Sequence, residues 1–154
     1  MAQQIGVISD THSLLRESAK ERLSGCDLII HAGDIGSRSV LMELEEIAEV
    51  VAVRGNVDRG MWANELNDIA YVDVEGMRLC IVHDRSRLSD AARARAGVVI
   101  YGHSHKPHVE WVEGVLYLNP GSAGPRRFGL PISMALLHMD PSGPRPELIE
   151  LSAQ

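Results

Sequence analysis

The chain has 154 residues, the size of one domain with its own hydrophobic core. Hydrophobic residues make up 45% of it and charged residues 23%, so a disordered chain is excluded. The formal net charge of −6 and the aromatic content of 4% argue against binding to long nucleic acid, which favours a basic face and stacking rings.

The sequence also indicates where the protein is located and how it assembles. No apolar stretch approaches the ~20 residues of a membrane span, and the first residues lack the basic head and apolar run of a signal peptide, so we expect a cytoplasmic protein without a membrane segment. Cys26 and Cys80 each lie in an apolar stretch and are expected to be buried free thiols. A homodimer is the expected assembly on base rates alone.

The first sixty residues alternate between short apolar runs and segments with helical spacing. Strands are predicted over 5–8, 28–30 and 50–53, because each is an apolar run that ends in polar residues. Helices are predicted over 13–23 and from a capping Ser37 onward. The order β-α-β-α-β is typical of parallel strands joined by crossover helices.

The remainder of the chain is richer in strands. Two β-hairpins are predicted, one over 69–74 with 78–82 and one over 109–112 with 115–118. A helix is predicted over 88–96, and single strands are predicted over 98–101, 132–138 and 148–151. A proline-rich loop over 140–146 precedes the last strand. No internal repeat or linker is visible. We therefore expect a single α/β domain over residues 1–154, in which βαβ units lead into antiparallel hairpins.

Polar residues with affinity for metals follow the predicted strands. The segments are Asp10-Thr11-His12, Gly33-Asp34, Gly55-Asn56-Val57-Asp58, His83-Asp84 and Gly102-His103-Ser104-His105. Loops at the carboxyl ends of parallel strands converge on one crevice, so we expect these side chains to lie together. The glycines are expected to let the backbone bend sharply enough for this.

This set of side chains favours a particular metal chemistry. Neutral imidazoles and carboxylates bind Mn, Fe, Ni or Zn, and the set contains no thiolate of the kind that builds structural zinc sites. Seven ligands exceed the needs of one ion. They suit two ions that share a bridging carboxylate and keep positions open for water and substrate.

The five segments, in this order, resemble the motif set of the calcineurin-like metallophosphoesterases, and their spacing is similar to that of the small bacterial and archaeal phosphodiesterase branch. The later Asn119-Pro120-Gly121-Ser122 and Arg126 extend the resemblance. The fold that it implies is a two-sheet β-sandwich flanked by helices. The resemblance implies a metal-dependent phosphoesterase that acts on small phosphodiesters or phosphate esters, with phosphodiesterase activity as the preferred expectation.

The resemblance also implies a role for each matched residue. One divalent ion would take Asp10, His12 and His105, a second would take Asn56, His83 and His103, and Asp34 would bridge the two. Asp34 and Asn56 would thus be catalytic residues, because they hold the ions between which a bridging hydroxide attacks phosphorus. Manganese is the first expectation, with nickel, iron and zinc as alternatives. Arg126 would hold a phosphate oxygen, which suits a planar guanidinium.

Two positions depart from the family pattern. Val57 stands where many members carry a histidine that protonates the leaving oxygen, although the small phosphodiesterase branch also commonly lacks it. We therefore expect weaker catalysis for poor leaving groups. Asp84 stands where the family usually has glycine, which affects the loop and not the ligand.

Four other polar residues lie near the motifs or in late strands. Arg59 flanks the Asn56 loop and His108 lies near the last histidine motif, so both are candidates for substrate binding. His31 is either a support of the site or a buried, hydrogen-bonded histidine. His138, in a late apolar strand, is expected to be structural.

Three other functions compete with the enzyme. The first is a non-catalytic protein-assembly scaffold of the same fold, the role of a eukaryotic relative with a degraded metal site; the complete set of seven ligands favours the enzyme. A nuclease acting on long nucleic acid is disfavoured by the charge and the scarce aromatics. A dinucleotide-binding domain is excluded, because Ser9-Asp10-Thr11-His12 replaces the glycine-rich turn that it requires.

Overall fold

Two five-stranded sheets pack face to face in the computed structural model, which describes residues 3–154. The predicted two-sheet sandwich flanked by helices is therefore confirmed. In chain order the elements are β1 Gln3–Ile8, α1 Glu17–Leu23, β2 Leu28–His31, α2 Arg38–Glu45, β3 Glu49–Ala52, α3 Met61–Asn64, β4 Ile69–Val74, β5 Met77–Val82, a 3-10 helix Arg85–Arg87, α4 Asp90–Arg95, β6 Val98–Ile100, β7 His108–Val112, β8 Val115–Asn119, β9 Ser133–Asp140 and β10 Gly143–Glu150.

The first sheet has the strand order β10-β9-β1-β2-β3. Its strands β1, β2 and β3 are parallel, and α1 and α2 are the crossover helices between them, as the β-α-β-α-β pattern predicts. Strand β9 pairs antiparallel with β1 and carries β10 at the outer edge.

The second sheet has the order β4-β5-β6-β8-β7. Both predicted hairpins are confirmed, β4 with β5 and β7 with β8, and they form its two edges. The central strands β5, β6 and β8 are parallel, so the second sheet, like the first, has several carboxyl ends on one side.

The main hydrophobic core lies between the sheets. Alternate residues of β1, Ile5 and Val7, face this core and are fully buried, whereas Ile8 faces the helices on the outer side. Leu79 and Ile81 meet the first pair from the second sheet. Burial of each such side chain stabilises the fold by roughly 1.5–3 kcal/mol, so this layer fixes how the two sheets are placed.

The C-terminal prediction was partly wrong. Residues 140–146, expected to form a loop, instead turn tightly, and β10 already begins at Gly143. Pro144 and Pro146 lie within this strand and pair with Met139 and Leu137. Proline is tolerated here because β10 is an edge strand. The backbone nitrogens of residues two apart lie on the same side of a strand, so both prolines lack an N–H on the side that pairs with no other strand.

The helices begin and end differently from the prediction. Helix α1 begins at Glu17 and not at residue 13, because His12 and Ser13 have φ angles of 45° and 71°, which no α-helix accepts. Ser37 occupies the N-cap position of α2, but its hydroxyl contacts Ser39 Oγ instead of capping the helix. The short helix α3 was not predicted.

Two further expectations concern cysteines and membranes. Cys26 and Cys80 are both buried free thiols, as expected. None of the helices formed by residues 3–154 is both long and apolar enough to cross a membrane.

Candidate metal centre

The five motif segments meet at one end of the sandwich, where strands of both sheets finish. The backbone itself joins the loops there: Asp10 N donates to Gly33 O, and Gly102 N donates to His83 O, both at 3.0 Å. The seven predicted ligands follow β1, β2 and β3 of the first sheet and β5 and β6 of the second: Asp10, His12, Asp34, Asn56, His83, His103 and His105.

Asp10 uses its two carboxylate oxygens differently. Oδ2 accepts hydrogen bonds from Ser9 Oγ at 2.7 Å and from His103 N at 3.2 Å. Oδ1 is buried and makes no hydrogen bond with the described residues, although His105 Nε2 lies 3.5 Å and His83 Nε2 3.9 Å away. Burial raises the pKa of Asp10 to about 6, against the opposing effects of His83 and Ser9.

Asp34 lies between histidines of the two predicted ligand sets. Its Oδ1 accepts a hydrogen bond from Val57 N at 3.0 Å, and its Oδ2 lies 3.8 Å from His12 Nε2 and 3.2 Å from His83 Nε2. Burial alone would raise the pKa of Asp34, but His83 and the Val57 amide outweigh it and lower the pKa to about 2. Asp34 is therefore ionised at neutral pH.

His83 is held in one tautomer by the first sheet. Its Nδ1 lies 2.8 Å from Ala32 O, and because a carbonyl only accepts, Nδ1 carries the hydrogen. Nε2 is thereby left with its lone pair toward Asp34 and Asp10, the state in which imidazole binds a metal. Burial lowers the pKa of His83, but contact with the two carboxylates raises it above the ordinary value overall.

Unpartnered buried atoms test whether these residues fit metal ions. Buried polar atoms nearly always have a partner, yet four atoms at this site make no hydrogen bond with residues 3–154: Asp10 Oδ1, His12 Nε2, His83 Nε2 and His105 Nδ1. Two trios offer ligand atoms within 4.8 Å of one another: Asp10, His12 and His105, and Asp10, Asp34 and His83. Nitrogen and oxygen donors in this number fit divalent transition metals.

His103 and Asn56 complete the set at its exposed rim. The ring of His103 packs edge-on against that of His83, with 5.2 Å between centroids. Asn56 and His83 line a cleft of about 470 Å³ whose other walls include Arg54 and Arg87. The cleft opens beside the ligands of the second predicted ion.

The backbone at the site is strained. Five of the seven ligand residues have left-handed φ angles: Asp10 at 56°, His12 at 45°, Asp34 at 55°, His103 at 74° and His105 at 64°. Each such non-glycine residue costs on the order of 1–3 kcal/mol, and strain of this kind concentrates where side chains must be aimed at a site.

The glycines act in two ways, only one of which was predicted. Gly33, with φ of 100°, provides a sharp bend. Gly55 and Gly102 instead allow close approach: a Cβ on Gly55 would lie 2.1 Å from Asp34 N, and one on Gly102 would lie 2.1 Å from Ser9 Oγ.

Two residues of the motif segments, for which the sequence predicts no role, support the site. The carboxylate of Asp58 accepts from the amides of Gly55 at 2.8 Å, Gly36 at 2.9 Å and Ile35 at 3.2 Å, and so joins the Asn56 loop to the Asp34 loop. Asn119 Nδ2 donates to Gly102 O at 3.1 Å and supports the histidine loop. In the sequence, only the positions of Asp58 and Asn119 within the motifs indicate a role, because their contacts join segments that are far apart in the chain.

The three predicted substrate-binding residues are all exposed at the surface. Arg126 donates from Nε to Leu130 O at 3.3 Å, His108 Nε2 lies 3.5 Å from Glu110 Oε1, and Arg59 is exposed beside Asp58. Among the described residues no hydrogen bond or salt bridge joins their side chains to a predicted ligand. Their roles remain predictions.

Comparison with known proteins identifies the family of the chain. Residues 4–142 match the model of the calcineurin-like phosphoesterase superfamily domain, and the chain belongs to that superfamily. A probable metallophosphoesterase of Methanothermobacter thermautotrophicus is 35% identical over 145 residues, which cover 86% of this chain and 84% of that protein.

Two solved structures share the fold. An archaeal phosphodiesterase, 28% identical, superposes with a TM-score of 0.79 and covers 95% of this chain and 99% of its own. Vps29 of Entamoeba histolytica complexed with Zn²⁺ is 23% identical, has a TM-score of 0.71, and covers 96% of this chain and 98% of its own. At that identity the likeness to Vps29 concerns the fold alone.

Proposed function

We propose that the protein is a phosphodiesterase that hydrolyses small phosphodiesters with two divalent metal ions. One ion would be held by Asp10, His12 and His105 and the other by Asn56, His83 and His103, with Asp34 shared between them. Membership of the phosphoesterase superfamily and the likeness to an archaeal phosphodiesterase support this activity.

The position of Asp34 carries the two-ion proposal. A single oxygen, Oδ2, lies within 4 Å of His12 Nε2 from one ligand set and of His83 Nε2 from the other. A carboxylate that is ionised at neutral pH and faces both sets is suited to bridge two cations.

When bound, the two ions would lower the pKa of a water molecule to generate the nucleophile and neutralise charge on the phosphoryl oxygens. The chain's own residues prepare the site for them. Val57 N and His83 keep Asp34 ionised, and Ala32 O fixes the His83 tautomer. Ser9 and His103 N hold one oxygen of Asp10 so that the other faces the crevice.

The substrate is proposed to be small. The net charge of −6 does not favour a long polyanion, and the cleft beside Asn56 and His83 has the volume of a site for a small molecule.

We further propose Mn²⁺ as the working ion, a cytoplasmic location and a single domain over residues 1–154.

The test combines metal content with hydrolysis. Metal-free protein is reloaded with Mn²⁺, and the bound ions and the hydrolysis of bis(p-nitrophenyl) phosphate are measured for wild type, Asp34→Asn and the control Asp73→Asn. Asp73 is an exposed carboxylate paired with Arg78 on the edge strand β4. We expect two ions per chain in wild type and control, and a loss of activity of at least about 10²-fold in Asp34→Asn.

The scaffold alternative makes a different prediction. A chain that binds metal but hydrolyses no phosphodiester, before or after Mn²⁺ is added, would contradict the enzymatic proposal and favour a protein-assembly role. One bound ion per chain with full activity would contradict only the two-ion arrangement.

A further inference from the structure

A loop that follows β8 crosses the metal-binding end of β1 and is fixed there. Ser122 Oγ donates to Asp10 O at 3.0 Å, and Ala123 N donates to Ser9 O at 3.0 Å. Gly124 packs so closely that a Cβ would lie 2.3 Å from Thr11 O. The segment that follows, 125–129, therefore begins beside the turn that contains Asp10.

Phe128, the one phenylalanine of the chain, lies in this segment in an unusual state. Its side chain is 79% exposed, and its φ of 59° is left-handed, which is rare for a bulky residue. The ring packs edge-on against His105, with 5.8 Å between centroids and 73° between planes. An exposed aromatic ring on a strained backbone contributes little to the core, so its role is expected at the site that it touches.

Arg127 directly precedes Phe128 in the same exposed segment, next to the residue whose ring packs against His105. The guanidinium is exposed, and none of the residues in 3–154 forms a hydrogen bond or salt bridge with it. It is therefore free to pair with an anionic oxygen of a ligand.

We propose that Phe128 and Arg127 form a substrate subsite for phosphodiesters in which one ester arm carries a nucleobase. The ring of Phe128 stacks on the base, and Arg127 pairs with a non-bridging phosphate oxygen. Base–aromatic stacking needs only a flat π-face, so the subsite selects the planar arm and not one particular base. This inference rests on the proposed function, since it names the substrate class of the same centre.

The test compares two diesters with the same leaving group. Thymidine 5′-(p-nitrophenyl) phosphate has a base on its second arm, whereas ethyl p-nitrophenyl phosphate has none. We expect Phe128→Ala to lower the ratio of their kcat/KM values by about 5- to 50-fold, and Phe128→Trp to preserve it. The control Trp111→Ala removes an exposed ring from β7, where it pairs with Leu116 away from the metal centre, and should leave the ratio unchanged.

A binding measurement separates this inference from the phosphodiesterase proposal. Calorimetry with thymidine 5′-monophosphate and ethyl phosphate, on Mn²⁺-loaded and metal-free protein, requires no hydrolysis. Phe128→Ala should weaken only the nucleotide by about 5- to 50-fold, and Arg127→Ala should weaken both ligands. Equal affinity of wild type for the two ligands, or a Phe128→Ala variant that keeps the preference, would overturn the subsite even if the enzyme is active. Base-dependent binding without any hydrolysis would support the subsite while contradicting the phosphodiesterase.

Discussion

His31 and Gly33 are joined by a hydrogen bond that fixes the protonation state of a fully buried ring. Gly33 N donates to His31 Nδ1 at 3.1 Å. Thr11 Oγ1 donates to Ile35 O, so it accepts from His31 Nε2, which lies 2.9 Å away and carries the hydrogen. A proton on Nδ1 would face the amide of Gly33, the residue before Asp34. The hypothesis of a buried, hydrogen-bonded histidine is therefore confirmed, and the contact with Gly33 places the ring next to the loop that carries Asp34.

This arrangement predicts a specific loss of stability in acid. Burial lowers the pKa of His31 from 6.5 to about 3, so the neutral ring favours folding fully above pH 6.5, and that contribution is lost as the pH falls toward 3. Chemical denaturation of metal-free protein should show that wild type loses about 1–2 kcal/mol more free energy of unfolding between pH 6.5 and 5 than His31→Asn does. Equal losses in the two proteins would contradict the assignment.

Asp58 is predicted to be a structural support of the metal centre. Asp58→Ala leaves the amides of Gly55, Gly36 and Ile35 without their acceptor, and we expect the free energy of unfolding to fall by about 3 kcal/mol. Mn²⁺ affinity should fall too, because the Asn56 and Asp34 loops lose their connection. The exposed Asp73→Ala is the matched control and should cost less than about 1 kcal/mol. Comparable denaturation midpoints for the two variants would show that the three hydrogen bonds matter little.

A second structural prediction concerns the close approach at Gly55. A Cβ there would lie 2.1 Å from Asp34 N and 2.3 Å from Asp34 Oδ1, so Gly55→Ala must displace the proposed bridging carboxylate. We expect a cost of about 2–3 kcal/mol and a weakened second metal-binding event in calorimetry. Gly25→Ala is the control, since its Cβ would meet nothing within 4 Å and only its φ of 88° costs about 1 kcal/mol. Unchanged metal binding in Gly55→Ala would be inconsistent with this geometry.

Metal binding should depend on pH in a defined direction. The pKa of Asp10 is raised to about 6 and that of His83 is raised above 6.5, so both groups hold protons in slightly acidic solution. Because metals bind the deprotonated groups, affinity for Mn²⁺ should fall by more than tenfold between pH 7.5 and 5.5. Calorimetry in buffers of different ionisation enthalpy would measure the released protons, and zero proton release at pH 6 would contradict the prediction.

The valine at position 57 predicts that the rate of hydrolysis depends strongly on the leaving group. Its side chain is 46% exposed beside Asp34 and cannot donate a proton, so activated nitrophenyl esters should be cleaved much faster than alkyl esters. In Val57→His we expect a gain of up to about 10²-fold for an alkyl diester and little change for a nitrophenyl diester. Rates are compared for dimethyl and bis(p-nitrophenyl) phosphate, with Val57→Gln as a control that adds a polar side chain of similar reach. A gain in both variants would argue against proton donation.

The sequence predicts the parallel unit β1 to β3, both hairpins and the convergence of the ligands, because these features follow from short-range patterns. Apolar runs such as 28–30 end in polar motifs, and parallel strands place those motifs at one end. The predicted start of α1 at residue 13 is wrong because the site overrides helix propensity. The motif that contains His12 has left-handed φ angles as far as Ser13, so α1 begins only at Glu17.

What the sequence does not predict depends on contacts between distant segments. Nothing local indicates that Asp58 accepts from Ile35 and Gly36, or that Gly55 is needed for space rather than for bending. Pro144 and Pro146 mimic a loop because the composition does not reveal that β10 lies at a sheet edge. The role of Phe128 likewise becomes visible only through its packing against His105.

The pairing of β9 with β1 has a consequence for how the chain matures. Gln3 lies opposite Met139, so the sheet that carries Asp10 is completed by a segment that is synthesised long after β1. Closure of so long a loop is entropically costly and slow. Until Ser133 and the residues after it have been synthesised, β1 has an open edge, and the loop beside the Asp10 turn is not fully anchored. The crevice therefore acquires its final shape only after β9 has been synthesised and has paired with β1.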